Sequence, residues 1–590
     1  MNRLFASAVL VFFSGLAFHL AVPAFPQGMI SGGATAVPRA APSGRPFPVS
    51  FVDVAAEAGL RMKFTYGNET RKKYVIEANG SGAAFLDYDN DGLPDIFLVN
   101  GSRLEGFPKA AAPTNYLYRN EGKGRFRDVT RDAGLDRAGW GNGVCAADVD
   151  NDGNLDLYVT YWGSNVLYRN NGNGTFSDVT ARAGVGGPGS EWSTGCTFLD
   201  YDRDGHVDLL VTRYIDFTPG KTPMPGQFPF CTWKGSPVYC GPRGLPFGGA
   251  TLYHNRGDGT FEDVSIHSGI RKAKDFYAFT AVAADLDGDG WTDIYIACDS
   301  TPSLYFRNNR DGTFREIGTE AGVAYSEHGG EQAGMAVSVS DFDNDGRLDI
   351  LKTNFTGDYP NLYRSFRKGF FNDVSVKAGL GVNPSYIVWG TGLVDLDNDG
   401  WKDILQVTGH VYPEVQSIDR TEPYKTPRLV YRNLGNGRFE DVSAMAGPGV
   451  AQAYSSRGAA FGDFDNDGDI DVVVMNMHEA PSLLRNDLKG ANHWFKVKLQ
   501  GTKSNRAAIG ATVVLRAGKL SQTEPVLSQS SFLSHNDLRL HFGLGDAARV
   551  DGITVRWPSG GVEEFPGAPA DGLALLVEGT GKTEMVPLRR

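Results

Sequence analysis

The chain has 590 residues, 41% of them hydrophobic, and a formal net charge of −12. That length exceeds one ordinary core and implies several domains, or a repeat array with an added module. The acidic balance and the lack of any Lys/Arg-rich block argue against nucleic acid and anionic membranes as partners.

Residues 1–24 read as a secretory signal: Arg3 supplies the positive start, Leu4 to Leu20 is largely apolar, and Val22-Pro23-Ala24 offers small residues for cleavage. A membrane anchor is the alternative, since the apolar run is near the lower length for a span. After signal cleavage no transmembrane span is expected, so the protein is expected to be secreted, on the cell surface or periplasmic. Residues 25–48, rich in Pro, Gly, Ala and Ser, read as a flexible linker.

The next feature is Asp87-Tyr88-Asp89-Asn90-Asp91-Gly92-Leu93-Pro94-Asp95, a D-x-D-x-D-G-x-x-D stretch, and six more copies follow it. The acidic positions are Asp87, Asp89, Asp91 and Asp95; Asp148, Asp150, Asp152 and Asp156; Asp200, Asp202, Asp204 and Asp208; Asp285, Asp287, Asp289 and Asp293; Asp341, Asp343, Asp345 and Asp349; Asp395, Asp397, Asp399 and Asp403; Asp463, Asp465, Asp467 and Asp471. Four carboxylates within nine residues repel one another unless a cation neutralises them. Positions 1, 3 and 5 put three carboxylates inside one tight loop, the Gly permits the turn, and the last Asp closes the shell. Oxygen-only ligands favour Ca²⁺ over zinc or copper, in about seven sites. The plain alternative is an acidic surface turn with no metal. An EF-hand is excluded, because its Glu falls at position 12, where the first copy has Leu98, and because each copy exits into a short apolar β-rich run such as Ile96-Phe97-Leu98-Val99.

Two further signatures recur behind each loop. One is Tyr-Arg-Asn or a variant, as at Tyr118-Arg119-Asn120; the other is a Gly-rich turn followed by Phe-x-Asp-Val, as at Phe126. Each unit therefore reads strand, Asp loop, strand, turn, strand, hairpin turn, strand, which is a β-propeller blade. The seven loops have only six Phe-x-Asp-Val strands after them. The missing copy, Phe51-Val52-Asp53-Val54, precedes the first loop, so an N-terminal strand completes the last blade and closes the ring. The fold expected is all-β: a seven-bladed propeller over 49–490, with insertions near 101–114, 213–250 and 410–428, then a small β-rich domain over 491–580.

These units resemble FG-GAP/VCBS repeats, calcium-loop blades of exported proteins, and the resemblance carries the Asp positions over as Ca²⁺ ligands. Behind them, Trp494 to Leu499, Ser504 to Ala511, His541-Phe542-Gly543-Leu544-Gly545 and Val555-Arg556-Trp557-Pro558-Ser559-Gly560 resemble the ASPIC/UnbV module. The combination resembles the cartilage acidic protein-like family.

Of the five cysteines, Cys231 and Cys240 share one Pro/Gly-rich insertion and are the best disulfide pair, while Cys145 and Cys196, on adjacent inner strands, either pair or are buried thiols. The odd count leaves at least one cysteine free or paired with another chain. Trp140, Trp192, Tyr277, Trp389 and Arg457 stand just ahead of Asp loops, and Tyr161, Arg213 and His410 just beyond the following strands. If these converge at the channel mouth they form an aromatic and polar ring for a glycan or a protein ligand, or they fill space between blades. The expected role is a recognition or adhesion scaffold of unspecified oligomeric state. The alternative is an enzyme at the propeller mouth, a polysaccharide lyase or natural-product tailoring enzyme, with Glu191, Glu331, His328, His410 and Arg457 as candidate groups. No catalytic motif assigns a catalytic residue.

Overall fold

The computed structural model describes residues 33–39, 42–108, 111–228 and 231–590, and the expected signal over 1–24 lies outside them. Seven four-stranded antiparallel sheets carry the repeat. In the first, Ala83–Leu86, Asp95–Leu98, Tyr116–Asn120 and Phe126–Asp128 pair in that order. The inner strands that open the following sheets are Trp140–Ala147, Ser193–Leu199, Ala278–Ala284, Gly334–Ser340, Val388–Val394 and Ser456–Gly462. Each inner strand lies beside the next, and Ser456–Gly462 returns beside Ala83–Leu86, so the sheets close into a ring. Phe51–Asp53 supplies the outer strand of the last sheet by pairing antiparallel with Ser482–Asn486.

The cores lie between neighbouring sheets. Leu86, Phe97 and Leu117 of the first pack against Val144, Leu157 and Val166 of the second. Both faces of each sheet are covered, so second strands such as Asp95–Leu98 are fully buried and, after the leading Asp, apolar. Close approach of inner strands demands small residues five positions ahead of each loop: Gly82, Gly143, Gly195, Thr280, Ala336, Gly390 and Gly458. A Cβ at Gly143 would meet the Thr194 carbonyl oxygen at 2.4 Å.

Within the stretch expected as a flexible linker, residues 33–39 and 42–48 make specific contacts with the propeller. Val37 donates to the Gly381 carbonyl, Arg39 reaches Asn383 and Asp441, and Arg432 holds Ser43 and the carbonyls of Arg45 and Pro46. Composition missed this because the partners are single polar groups spaced along an irregular segment.

Beyond the ring, two four-stranded sheets form the C-terminal module. One orders Leu540–Gly545, His493–Gln500, Gly572–Val577 and Thr583–Val586, with its central pair parallel; the other orders Leu520–Pro525, Thr512–Ala517, Gly552–Arg556 and Val562–Pro566.

Candidate functional site

Every Asp loop has the same internal wiring. The Gly at position 6 donates its N–H to the position 1 carboxylate in all seven, at 2.7 to 3.2 Å. The position 9 carboxylate accepts the N–H of the third-strand Asn, or of Ser365 in the fifth sheet, at 2.7 to 2.9 Å. These bonds fix the orientation of the position 1 and position 9 carboxylates within the loop. Ligand oxygens of Asp87, Asp89 and Asp95, of Asp148, Asp150 and Asp156, and of Asp200, Asp202 and Asp208 lie within 4.8 Å of one another, as do those of Asp285, Asp287 and Asp289. At position 3, Oδ1 of Asp89, Asp202, Asp343 and Asp465 is buried without a protein partner. In three loops the third-strand arginine occupies the outer oxygens instead: Arg119 on Asp89 and Asp91, Arg169 on Asp150 and Asp152, and Arg364 on Asp343 and Asp345. Arginine outside and unpartnered oxygens inside make a donor set that could hold a hard divalent cation. Burial, reinforced by the neighbouring carboxylates, pushes Asp148 up to about 6 and Asp200 and Asp341 to about 7.

The loops are also stitched to each other, which the acidic pattern did not disclose. Position 4 has a positive φ near 55 to 71° in every loop, occupied by Asn90, Asn151, Arg203, Gly288, Asn344, Asn398 and Asn466. Five of these asparagines donate to the Gly carbonyl of the next loop at 2.9 to 3.2 Å, Asn466 closing onto Gly92, and Arg203 does the same to Gly290. Gly288 has no side chain to offer. In the other direction, third-strand asparagines bond position 2 of the preceding loop, as Asn120 does to the Phe464 carbonyl at 2.8 Å and Asn170 to that of Tyr88 at 2.7 Å. Asn is suited to both tasks because it tolerates the left-handed region and its amide reaches a neighbouring carbonyl.

The C-terminal module sits on this ring of loops. Arg506 N–H, His541 Nε2 and Arg539 Nη1 meet the free amide oxygens of Asn151, Asn398 and Asn466 at 2.7 to 2.9 Å. Lys402 pairs with Glu524 at 2.8 Å, and the buried Lys496 pairs with Asp463. From this platform residues 528–537 enter the central channel. Val144 N–H bonds the Leu533 carbonyl, Ser531 exchanges both backbone bonds with Val337, and His535 pairs with Ala83 and Phe85. Thr391 N–H bonds Ser531 Oγ, Phe461 N–H bonds Asn536, and Gln529 lies beside Gly195 and Cys196. The Phe532 ring ends between Phe279 and Trp389, at 5.7 and 4.9 Å. A segment of one domain thus touches all seven inner strands and fills the channel from the Asp-loop end. The plug was missed because Ser528 to Ser534, a serine-rich stretch interrupted by Phe532 and Leu533, looks like an ordinary connection.

The opposite end carries the expected mouth residues, and it is not an open bowl. Trp140, Tyr161, Trp192, Tyr277, Trp389, His410 and Arg457 are all buried. Segments that cross over them are residues 61–80, 216–228 with 231–246, and 409–428. Tyr66 reaches Asn142, which also accepts from Trp192 Nε1. Cys231 and Cys240 are disulfide-bonded and present Trp233 against His410 and Tyr412, both at 5.8 Å. Tyr277 donates to the Leu245 carbonyl and Trp389 Nε1 to that of Gly409. Arg457, stacked over Trp389 at 4.2 Å, is satisfied by Ser455 and by the carbonyls of Ala78, Ser456 and His410. Burial lowers His410 to about 3, with Arg457 adding to the effect. The ring exists, and the insertions make it interior, because their own aromatic residues need covering as much as it does. Of the eight residues only Arg213 is partly exposed. The candidate catalytic groups are engaged separately: Glu191 with Arg213 at 3.0 Å, Glu331 with Arg243, and the exposed His328 beside Glu327 at 3.7 Å. Cys145, Cys196 and Cys298 are buried free thiols.

This architecture is an all-β propeller-type repeat protein with a docked C-terminal domain. A family model described as FG-GAP-like repeat matches residues 87–159, 151–211, 238–296, 285–352 and 421–474, and one described as ASPIC and UnbV matches 501–583. The chain thus carries FG-GAP-like repeats followed by an ASPIC and UnbV domain. It is similar to cartilage acidic protein 1 of Mus musculus, 27% identical over 52% of this chain and 45% of the relative. For the Homo sapiens protein the values are 28%, 46% and 39%. The chain therefore spans less than half the length of these curated relatives. Among solved structures, an Agrocybe aegerita lectin covers 64% of this chain and 85% of its own, at 19% identity and a TM-score of 0.35. The rhamnogalacturonan lyase YesX covers 88% and 92%, at 14% identity and a TM-score of 0.29. These two likenesses leave open what this chain binds.

Proposed function

We propose that this protein is an exported, Ca²⁺-stabilised propeller that acts as an extracellular or periplasmic recognition scaffold. The observation that carries the reading is the set of interlocked Asp loops, in which carboxylate oxygens cluster within 4.8 Å of one another and the position 3 Oδ1 of Asp89, Asp202, Asp343 and Asp465 is buried without a protein partner. Millimolar Ca²⁺ outside the cell fills weak oxygen sites of this type, which bind at about 10⁻⁴ to 10⁻³ M in extracellular modules. The ion would be held by positions 1, 3, 5 and 9, remote from any ligand, and would set the rigidity of the ring and of the platform under the C-terminal module. With the channel plugged at one end and covered at the other, the surface left for a partner is the insertion face and its rim. No observation favours catalysis over recognition there.

The test is capture of glycans and proteins by the purified full chain on immobilised panels, in millimolar Ca²⁺ and in EDTA, with metal analysis of the same samples. Retention of a partner in Ca²⁺ and its loss in EDTA is the expected result. Absence of Ca²⁺ from the protein, or retention indifferent to it, overturns the reading.

A further inference from the structure

We infer that the furrow between the second and third sheets, on the insertion face, binds a neutral oligosaccharide; the inference rests on the recognition reading above. The furrow has a volume of about 990 Å³. That is the upper end of ligand-site sizes, enough for several sugar rings. It exists because the chain is short where its neighbours are long. The second and third strands of the second sheet are joined by Gly163-Ser164-Asn165 alone, and the connection into the third sheet is the glycine-rich stretch from Gly184 to Glu191, whereas the corresponding strand connections in the first, third and sixth sheets span positions 99–115, 216–246 and 409–428 of the sequence.

Three arginines and three carboxylates line it: Arg137, Arg213 and Arg271, with Asp178, Glu191 and Asp263. They stand in pairs, Arg213 with Glu191 at 3.0 Å, Arg271 with Asp263 at 2.7 Å and Arg137 with Asp178 at 4.0 Å. The charges cancel within the furrow, so neither a polyanion nor a polycation is favoured. A guanidinium beside a carboxylate instead offers donors and acceptors side by side, which matches adjacent hydroxyls that each give one hydrogen bond and accept others. Arg213 is the fixed element. Its side chain is 13% exposed, and its Nε and Nη1 are pinned by the Gly248 carbonyl and the Thr251 hydroxyl. Its Nη2 makes no hydrogen bond to protein among the described residues. The outer pairs are half exposed, so water screens them and exchanging one partner for a sugar hydroxyl costs little. Arg137 lies over the Tyr161 ring at 4.9 Å, which gives that flexible side chain a defined resting place.

The test uses the full chain in Ca²⁺ with neutral, acidic and peptide probes, followed by Arg137→Ala, Arg271→Ala and Glu191→Gln, and by Arg315→Ala on the fourth sheet as a remote control. At least one neutral oligosaccharide of three to six rings should be retained, each furrow variant should weaken it at least tenfold, and the control should leave it unchanged. Unfolding temperature and Ca²⁺ content of the variants should match the parent, which separates lost contacts from lost fold. Binding that is insensitive to the three variants overturns the furrow and leaves the recognition reading standing. Retention of acidic glycans or peptides only, through the furrow, overturns the neutral-sugar assignment. Retention of nothing from any panel overturns both.

Discussion

Removing the cations should cost the protein several degrees of thermal stability. At millimolar Ca²⁺, a site with a dissociation constant of 10⁻³ to 10⁻⁴ M contributes about 0.4 to 1.4 kcal/mol. Seven such sites sum to about 3 to 10 kcal/mol. With an unfolding entropy of about 2.1 cal/mol/K per residue, the 590-residue chain has a melting entropy of about 1.2 kcal/mol/K if it unfolds as one unit. The expected drop is then about 2 to 8 °C. The cooperative assumption is grounded in the contacts, because the loops are bonded to each other, to the third strands of neighbouring sheets and to the module. Calorimetric scans in 1 mM Ca²⁺ and in excess EDTA measure it, with elemental analysis confirming removal. An unchanged melt in demonstrably metal-free protein would refute the assignment of Ca²⁺ to these loops.

The metal-free protein should also respond to pH in an unusual sense. Burial raises Asp148, Asp200 and Asp341 above the 3.8 of a free aspartate, to about 6 or 7, so their contribution is full at low pH and is lost as pH rises through that range. Melting temperature in EDTA should therefore fall between pH 5 and pH 8, and Ca²⁺ should reverse the slope by binding the ionised form. The plug should be energetically central: Phe532 is fully buried, and Phe532→Ala should cost about 3 to 5 kcal/mol in a denaturant titration. Phe366→Ala, at a residue 49% exposed, should change stability by less than about 0.5 kcal/mol. Equal effects would place the channel segment outside the cooperative unit. Finally, Asn466→Ala should destabilise by about 1 to 3 kcal/mol by removing the amide's bonds to the Gly92 carbonyl and Arg539 Nη1, and by forcing Ala to a φ of 58°. Asn466→Gly, which keeps the backbone and loses only the amide, should cost less.

Local chemistry made much of this protein legible from its sequence alone. Four aspartates and a glycine at fixed spacing define a loop whatever surrounds it, and apolar runs between turn signals define strands. The β repeat could therefore be recognised, as could the C-terminal module. Packing between distant segments could not be read. Asn90 and Asn466 looked like spacers between acids, yet each bonds another loop, and that partner is set only when the ring closes. The aromatic residues expected at the channel mouth are recognisable by their spacing from the Asp loops, but their exposure depended on whether residues 61–80, 216–228, 231–246 and 409–428 fold over them, which is a matter of tertiary burial. The same holds for Ser528 to Ser534, whose mixed side chains show no periodicity and whose hydrogen bonds reach strands as far as 451 residues away. Spacing within a dozen residues determined the units; the burial of groups hundreds of residues apart decided which surfaces remain for a partner.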